Sequence, residues 1–256
     1  MNLAATFLLI LGTASAFAPL SPSPRQSVAV SETQADLKEL GVKLNPVVNF
    51  FDPINLSETN FWDQGEEASI GWLRQAEIKH GRVAMMAFAG YCVQSNWHWP
   101  WAMTTAGDPF PSTDLSPEQQ WDAIPEAAKW QIIVLAGAFE VWDETVGLRE
   151  GEGSHYMRGG RPGDYPSFSR FREDVHFVFD LYDPFGFNKK MSEEKKETRL
   201  AMEINNGRLA MLGIFGFLAA DKVPGSVPLL DSWGVTIPYE GATMAPFASD
   251  FSLFGN

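Results

Sequence analysis

Two segments of this chain repeat one pattern at an offset of 126 residues: Glu77-Ile78-Lys79-His80-Gly81-Arg82-Val83-Ala84-Met85 and Glu203-Ile204-Asn205-Asn206-Gly207-Arg208-Leu209-Ala210-Met211. Glu, Ile, Gly, Arg, Ala and Met recur in one register, and each copy sets a carboxylate and a guanidinium in an otherwise apolar run. Glu77 and Arg82 are five residues apart, about 140° around a helix axis. Favoured intrahelical pairs are three or four apart. In a bilayer each unpaired ionised side chain costs roughly 2.5–3.5 kcal/mol on insertion scales, so these charges need partners. The repeat supplies them: two helices crossing about a pseudo-twofold axis bring Glu77 to Arg208 and Glu203 to Arg82. On the repeat alone the two pairs are equivalent. Such pairs do not guarantee net stability; they decide which helices meet and in what register. Small residues recur at every third position, Gly81, Ala84, Ala87 and Gly90, then Gly207, Ala210, Gly213 and Gly216. That stripe lets helix backbones or flat ligands approach closely.

Three apolar islands, about 70–93, 126–146 and 198–223, are predicted as helices, each near the roughly 20 residues that cross a bilayer core. Pro125 suits a helix start and Gly147 a helix stop. The mean hydropathy of -0.13 averages these islands with polar connections. Basic residues are absent between Ser95 and Ala128, yet ten lie from Arg149 to Arg199, and beyond Asp221 only Lys222 remains. Basic loops mark the side that is not translocated. The second loop and the N-terminus therefore share that side, and the first loop and C-terminus lie opposite. Trp72, Trp97, Trp99, Trp101, Trp121, Trp130 and Trp233 fall near the span ends, where aromatic belts sit. The fold class read from this pattern is an all-α membrane protein with three transmembrane helices, the first and third crossed.

Residues 1–30 read as a bipartite address. An apolar run ends at Ala14-Ser15-Ala16, a small-x-small cleavage site, and a Ser-rich, acid-poor piece follows Phe17. The remaining 31–256 form one domain. A net charge of -13 argues against nucleic-acid binding. The single cysteine, Cys92, excludes an internal disulfide and a Cys-based zinc site, and reads as a small buried hydrophobe.

Glu77 and His80 are three apart on one helix face, as are Glu203 and Asn206. Each helix thus presents an oxygen donor and a second N or O donor towards apolar surroundings. A magnesium already held by four ring nitrogens needs one such axial donor, and magnesium favours hard ligands. The E-x-x-H-G-R and E-x-x-N-G-R helices resemble those of the light-harvesting chlorophyll-binding protein superfamily, over about Val47 to Pro228. The resemblance implies magnesium ligation by Glu77, His80, Glu203 and Asn206, with Arg82 and Arg208 completing interhelical pairs and contacting chlorophyll. It places the middle-helix carboxylate at Glu140 and further candidate ligands at Gln94 and Gln131. Phe51-Asp52-Pro53 and Tyr182-Asp183-Pro184 resemble the paired loops that bracket two carotenoids. A family glutamine ligand falls on Ala220, and the Val223-Pro224-Gly225-Ser226-Val227-Pro228 ending and presequence are similar to the fucoxanthin chlorophyll a/c-binding antenna proteins of red-lineage secondary plastids.

That resemblance implies chlorophyll a, chlorophyll c and fucoxanthin or a related carotenoid as cofactors. It implies a plastid thylakoid location with a stromal N-terminus, and thylakoid lipids, other antenna subunits and a photosystem core as partners. The implied function is to pass excitation energy, without enzymatic chemistry. The alternative is a photoprotective, energy-dissipating member of the same family, for which lumen-facing carboxylates would sense acidification: Asp108, Asp114, Glu118, Asp122, Asp231, Glu240 or Asp250. A di-iron enzyme would need two E-x-x-H motifs, and Asn206 breaks the second. A transporter would want a polar cavity at mid-span. His98 reads as interfacial, and His155 and His176 are open to peripheral chlorophyll binding.

Overall fold

The computed structural model describes residues 32–61, 63–145, 154–166, 168, 191–243 and 245–247. Six α-helices and no strand occur among them: α1 Gln34–Leu44, α2 Glu66–Gln94, α3 Pro117–Ala123, α4 Glu126–Glu144, α5 Glu193–Lys222 and α6 Pro228–Trp233. The three long helices coincide with the three apolar islands. The short α1, α3 and α6 are not seen in the hydropathy pattern, because local capping rather than apolar periodicity makes them. Thr33 accepts from the Asp36 N–H while the Asp36 carboxylate accepts from the Thr33 N–H. Ser116 and Gln119 exchange the same two bonds at the start of α3, with Pro117 in the first turn. The presequence, Gly147, His176, Asp183, Pro184 and Asp250 lie outside the described residues.

At about 1.5 Å per residue, the 29 residues of α2 and the 30 of α5 exceed a bilayer core, and the 19 of α4 approach it. Among the described residues, however, no helix is long and apolar enough to cross a membrane. The reason is visible in α2, which carries Arg74, Glu77, Lys79 and Arg82 within three turns. Charged side chains here are held against one another rather than excluded from the helices.

The chain parts into two compact units, one from residues 32–83 and 139–208, the other from 84–138 and 209–247. In the first, Leu44, Ile78 and Ile204 form the apolar core, with Leu40, Leu200 and Ala201 against it. Ile78 and Ile204 occupy one position of the repeat. So do Gly81 and Gly207, where α2 and α5 touch backbone to backbone: a Cβ built on Gly207 would lie 2.8 Å from the Gly81 Cα. In the second unit Ala84, Met85 and Ala210 form the core beside Met211 and Ile214, again repeat partners. Phe217 stacks on Phe88 and Tyr91 at 5.1 and 4.8 Å between centroids.

The second unit is closed by polar ties to its C-terminal segment. The Asp221 side chain, 5% exposed, accepts from the Tyr91 hydroxyl and from the Ile237 N–H, and its carbonyl accepts from Tyr239 N–H at 2.9 Å. Tyr239 donates to Asp122 at 2.9 Å, and Trp121 donates to the Pro246 carbonyl at 3.0 Å. The aromatic residues after α2 form a cluster in which Trp99 packs on Trp97 and Trp101 at 4.5 and 4.4 Å.

The close approach at Gly81 and Gly207 yields a direct expectation. Gly207→Val should destabilise the fold by about 1–3 kcal/mol, the usual cost of overpacking, whereas Gly216→Ala, where a Cβ meets open space, should be nearly neutral. Thermal melts of the two variants in detergent would compare them.

Candidate functional site: a paired-carboxylate pigment scaffold

Four charged groups of the repeat meet across α2 and α5. Arg208 donates from Nε and Nη2 to Glu77 Oε1 at 2.7 and 2.6 Å. Arg82 donates from Nε to Glu203 Oε1 at 2.6 Å. The pairing is reciprocal, yet its two halves are not equivalent. Glu77 also takes Arg74 Nη1 on Oε2 at 2.6 Å, and Arg74, almost wholly buried, reaches Glu32 at 3.1 Å. Arg82 uses Nη1 on the Gly163 carbonyl at 2.6 Å instead. The second guanidinium on Glu77 was missed in the sequence, although Arg74 stands three residues before Glu77, a favoured intrahelical spacing.

The segment 154–166 lies over the Arg82–Glu203 pair. Gly163 N–H donates to Gln75 Oε1 at 2.6 Å, Tyr165 donates to the Phe139 carbonyl at 2.8 Å, and Trp142 to that of Pro166 at 3.4 Å. Gly163 has φ +85°, and a Cβ there would press on Ile78 at 3.0 Å, so glycine alone fits. Burial pushes the Asp164 carboxyl up to about 6, against the pull of Arg161 and Arg82. Among the described residues no such segment lies over the other pair. Glu77 and Arg208 line a cavity of about 530 Å³ together with Phe51, Leu56, Leu73 and Arg74.

The donors suited to magnesium face outward. His80 is exposed, and its Nδ1 donates to the Ala76 carbonyl at 2.8 Å. A carbonyl only accepts, so the proton sits on Nδ1 and the Nε2 lone pair is left for a metal, the usual support for a histidine ligand. Asn206, Gln94 and Gln131 are exposed on their helices. Gln94 lends its carbonyl to Gln120 Nε2 at 3.1 Å, leaving its side chain for other uses. Glu203 bonds Arg82 through Oε1 and Glu140 bonds Lys79 through Oε2 at 2.7 Å. On α2 and α5 Val83, Met86, Leu209, Leu212 and Phe215 are exposed apolar surface, and Cys92, expected to be buried, is exposed on α2 as well. Among the described residues no three His, Cys, Asp or Glu come together to hold a bare ion.

Other candidates are placed differently. Asp52 accepts Leu56 and Ser57 N–H at 2.9 and 2.8 Å, and these backbone bonds lower its carboxyl below the usual range. It shapes the turn that exposes Phe51 and Pro53. His155 uses both ring nitrogens, Nε2 towards Glu144 at 3.1 Å and Nδ1 towards Met157 N–H at 3.3 Å, so no lone pair remains for a chlorophyll. His98 stacks on Phe110 at 5.9 Å, and burial lowers its pKa.

Residues 36–222 match the family described as Chlorophyll A-B binding protein. The chain belongs to that family. A fucoxanthin-chlorophyll a-c binding protein of Trieres chinensis is 33% identical over 227 residues, covering 87% of this chain and 95% of that protein. The fucoxanthin-chlorophyll a-c binding protein F of Phaeodactylum tricornutum is 31% identical over 86% of this chain and 95% of its own. A relative of the same description from Chattonella marina var. antiqua is 28% identical over 98% of both chains. A family of antenna proteins suits a site built from single donors and paired charges.

The inequality of the two pairs has a measurable consequence. Arg82→Leu strands the Glu203 carboxylate, whose side chain is 18% exposed, and should cost about 3–5 kcal/mol, as breaking a buried pair does. Arg208→Leu should cost clearly less, because Arg74 still neutralises Glu77. Denaturation of the two pigment-loaded variants would rank them; equal losses would contradict the asymmetry.

Proposed function

We propose that this chain is a light-harvesting antenna subunit that binds chlorophyll a, chlorophyll c and fucoxanthin and passes excitation energy to a photosystem. The reading is supported by family membership and by the similarity to fucoxanthin-chlorophyll a-c binding proteins. The observation that carries it is the reciprocal Glu–Arg pairing of α2 and α5 beside outward donors that retain lone pairs. In this reading α2, α4 and α5 cross the thylakoid membrane, α2 and α5 about a pseudo-twofold axis, with the N-terminus in the stroma. Their paired charges offset the insertion cost that ordinary hydropathy assigns them. Residues 1–30 are the plastid presequence.

Glu77, His80, Glu140, Glu203 and Asn206 hold chlorophyll magnesium, with Gln94 and Gln131 as further ligands. Asp52 and Pro53, together with Asp183 and Pro184, bracket carotenoids. The pigments supply light absorption and excitation transfer; the protein fixes their separations and orientations. Other antenna subunits, a photosystem core and thylakoid lipids are its partners. No bond is made or broken by the chain.

Refolding the chain in detergent with and without chlorophyll and carotenoid tests the proposal. A protease-resistant fold should need pigment. His80→Leu should lose the chlorophyll at Nε2 while leaving the remaining pigments, since among the described residues His80 enters no ion pair. Assembly without pigment, or unchanged stoichiometry in His80→Leu, would overturn the reading.

A second reading, an energy-dissipating member of the family, is favoured by one observation. Glu118, on the lumen side in this reading, lies 3.4 Å from the Tyr91 hydroxyl that Asp221 already engages. Burial raises the Glu118 carboxyl, and the Asp221 charge adds to this. A raised acid holds its proton more tightly in the folded state. Its stabilisation is therefore present at low pH and is lost as pH rises through the raised value. Dissipation through this group predicts fluorescence that falls on mild acidification and a Glu118→Gln variant that no longer responds. Yield that is independent of pH in the unaltered protein would leave the harvesting reading alone.

A further inference from the structure

We propose that Lys79 is the positioning residue that makes Glu140 a magnesium ligand, by supplying its counter-charge from a different helix. The inference rests on the reading of Glu140 as a chlorophyll ligand.

Helix α4 ends with three carboxylates on one side, Glu140, Asp143 and Glu144, at the i, i+3 and i+4 positions that face each other on a helix. One ammonium meets all three: Lys79 Nζ lies 2.7 Å from Glu140, 2.9 Å from Asp143 and 3.9 Å from Glu144. Two of the three have other donors. Asp143, with 3% of its side chain exposed, accepts Gln75 Nε2 at 3.0 Å. Glu144 accepts the Tyr156 hydroxyl at 3.0 Å and faces His155 at 3.1 Å. Glu140 engages Lys79 through Oε2 alone and leaves 57% of its side chain outward. The outward oxygen is the one a metal would take.

The repeat shows that this lysine answers to α4 and not to the motif. The position equivalent to Lys79 is Asn205, whose side-chain amide donates to the Leu44 carbonyl at 3.1 Å. Where the acceptor is a neutral carbonyl the chain uses a neutral amide, and where it is a cluster of carboxylates it uses a cation. Lys79 holds Glu140 from a second helix and offsets its charge while occupying one oxygen only, so the other oxygen stays outward.

The test refolds each variant with chlorophyll and carotenoid and reads pigment stoichiometry and the absorption difference spectrum. All Lys79 variants carry Asp143→Asn, which removes the second charge and keeps an acceptor for Gln75. Glu140→Leu defines the chlorophyll at this site. Lys79→Met should lose that chlorophyll, Lys79→Arg should keep it, and Lys79→Met with Glu140→Gln should recover it, because a neutral amide oxygen ligates without a counter-charge. Retention in Lys79→Met would overturn the inference. So would loss, or failure to assemble, that Glu140→Gln does not repair, since Lys79 would then act only by joining α2 to α4. If Glu140→Leu itself loses no chlorophyll while His80→Leu does, the ligand assignment of Glu140 fails and the antenna reading stands.

Discussion

A carboxylate beside a guanidinium from another helix is the interaction on which the rest of this structure depends. Alone, each group would oppose placement in an apolar helix by a few kcal/mol. Together they form a neutral, directional join whose geometry permits only one register of α2 against α5. The contact of Gly81 with Gly207 follows from that register, because the side chains meet only when the backbones come close. The apolar repeat partners Ile78 with Ile204, and Ala84 with Ala210, then fall into the two cores. Buried ion pairs are weak evidence for stability. Here their consequence is specificity of pairing.

Charge compensation extends beyond the repeat in a consistent way. Arg74 links Glu77 to Glu32, and Lys79 gathers the carboxylates of α4. Gln75, one turn from Lys79, joins Asp143 to the Gly163 backbone. The same stretch of α2 therefore organises the start of the chain, the end of α4 and the segment 154–166. This concentration of polar ties also keeps α2 from being an apolar span, as no helix among the described residues is: hydropathy adds residues one by one, whereas the charges act in pairs.

The asymmetry of the two pairs matters for function because a pigment's energy depends on the polarity and ligand strength around it. Among the described residues, Glu77 receives hydrogen bonds from two guanidiniums and borders an apolar cavity, whereas Glu203 receives one, from the Arg82 that also holds the segment 154–166 through Gly163. In the proposed antenna, pigments held at the two copies of the motif would therefore have different surroundings.

The helical class, the three long helices, and the pairing of Glu77 with Arg208 and of Glu203 with Arg82 were legible in the sequence. Spacing along one helix is a fixed angle, and a repeated motif constrains both copies at once. The short helices α1, α3 and α6 were not legible, since two or three cap bonds leave no periodic trace. Nor were the partners of Arg74, Lys79 and Asp143, or the occupation of both His155 nitrogens, because these contacts join residues whose separation along the chain carries no angular information. Sequence by itself determined which charges had to be neutralised. Only the tertiary structure decided which were neutralised once, which twice, and which oxygen atoms remained outward, because that depends on how many donors the surrounding helices bring within hydrogen-bonding distance.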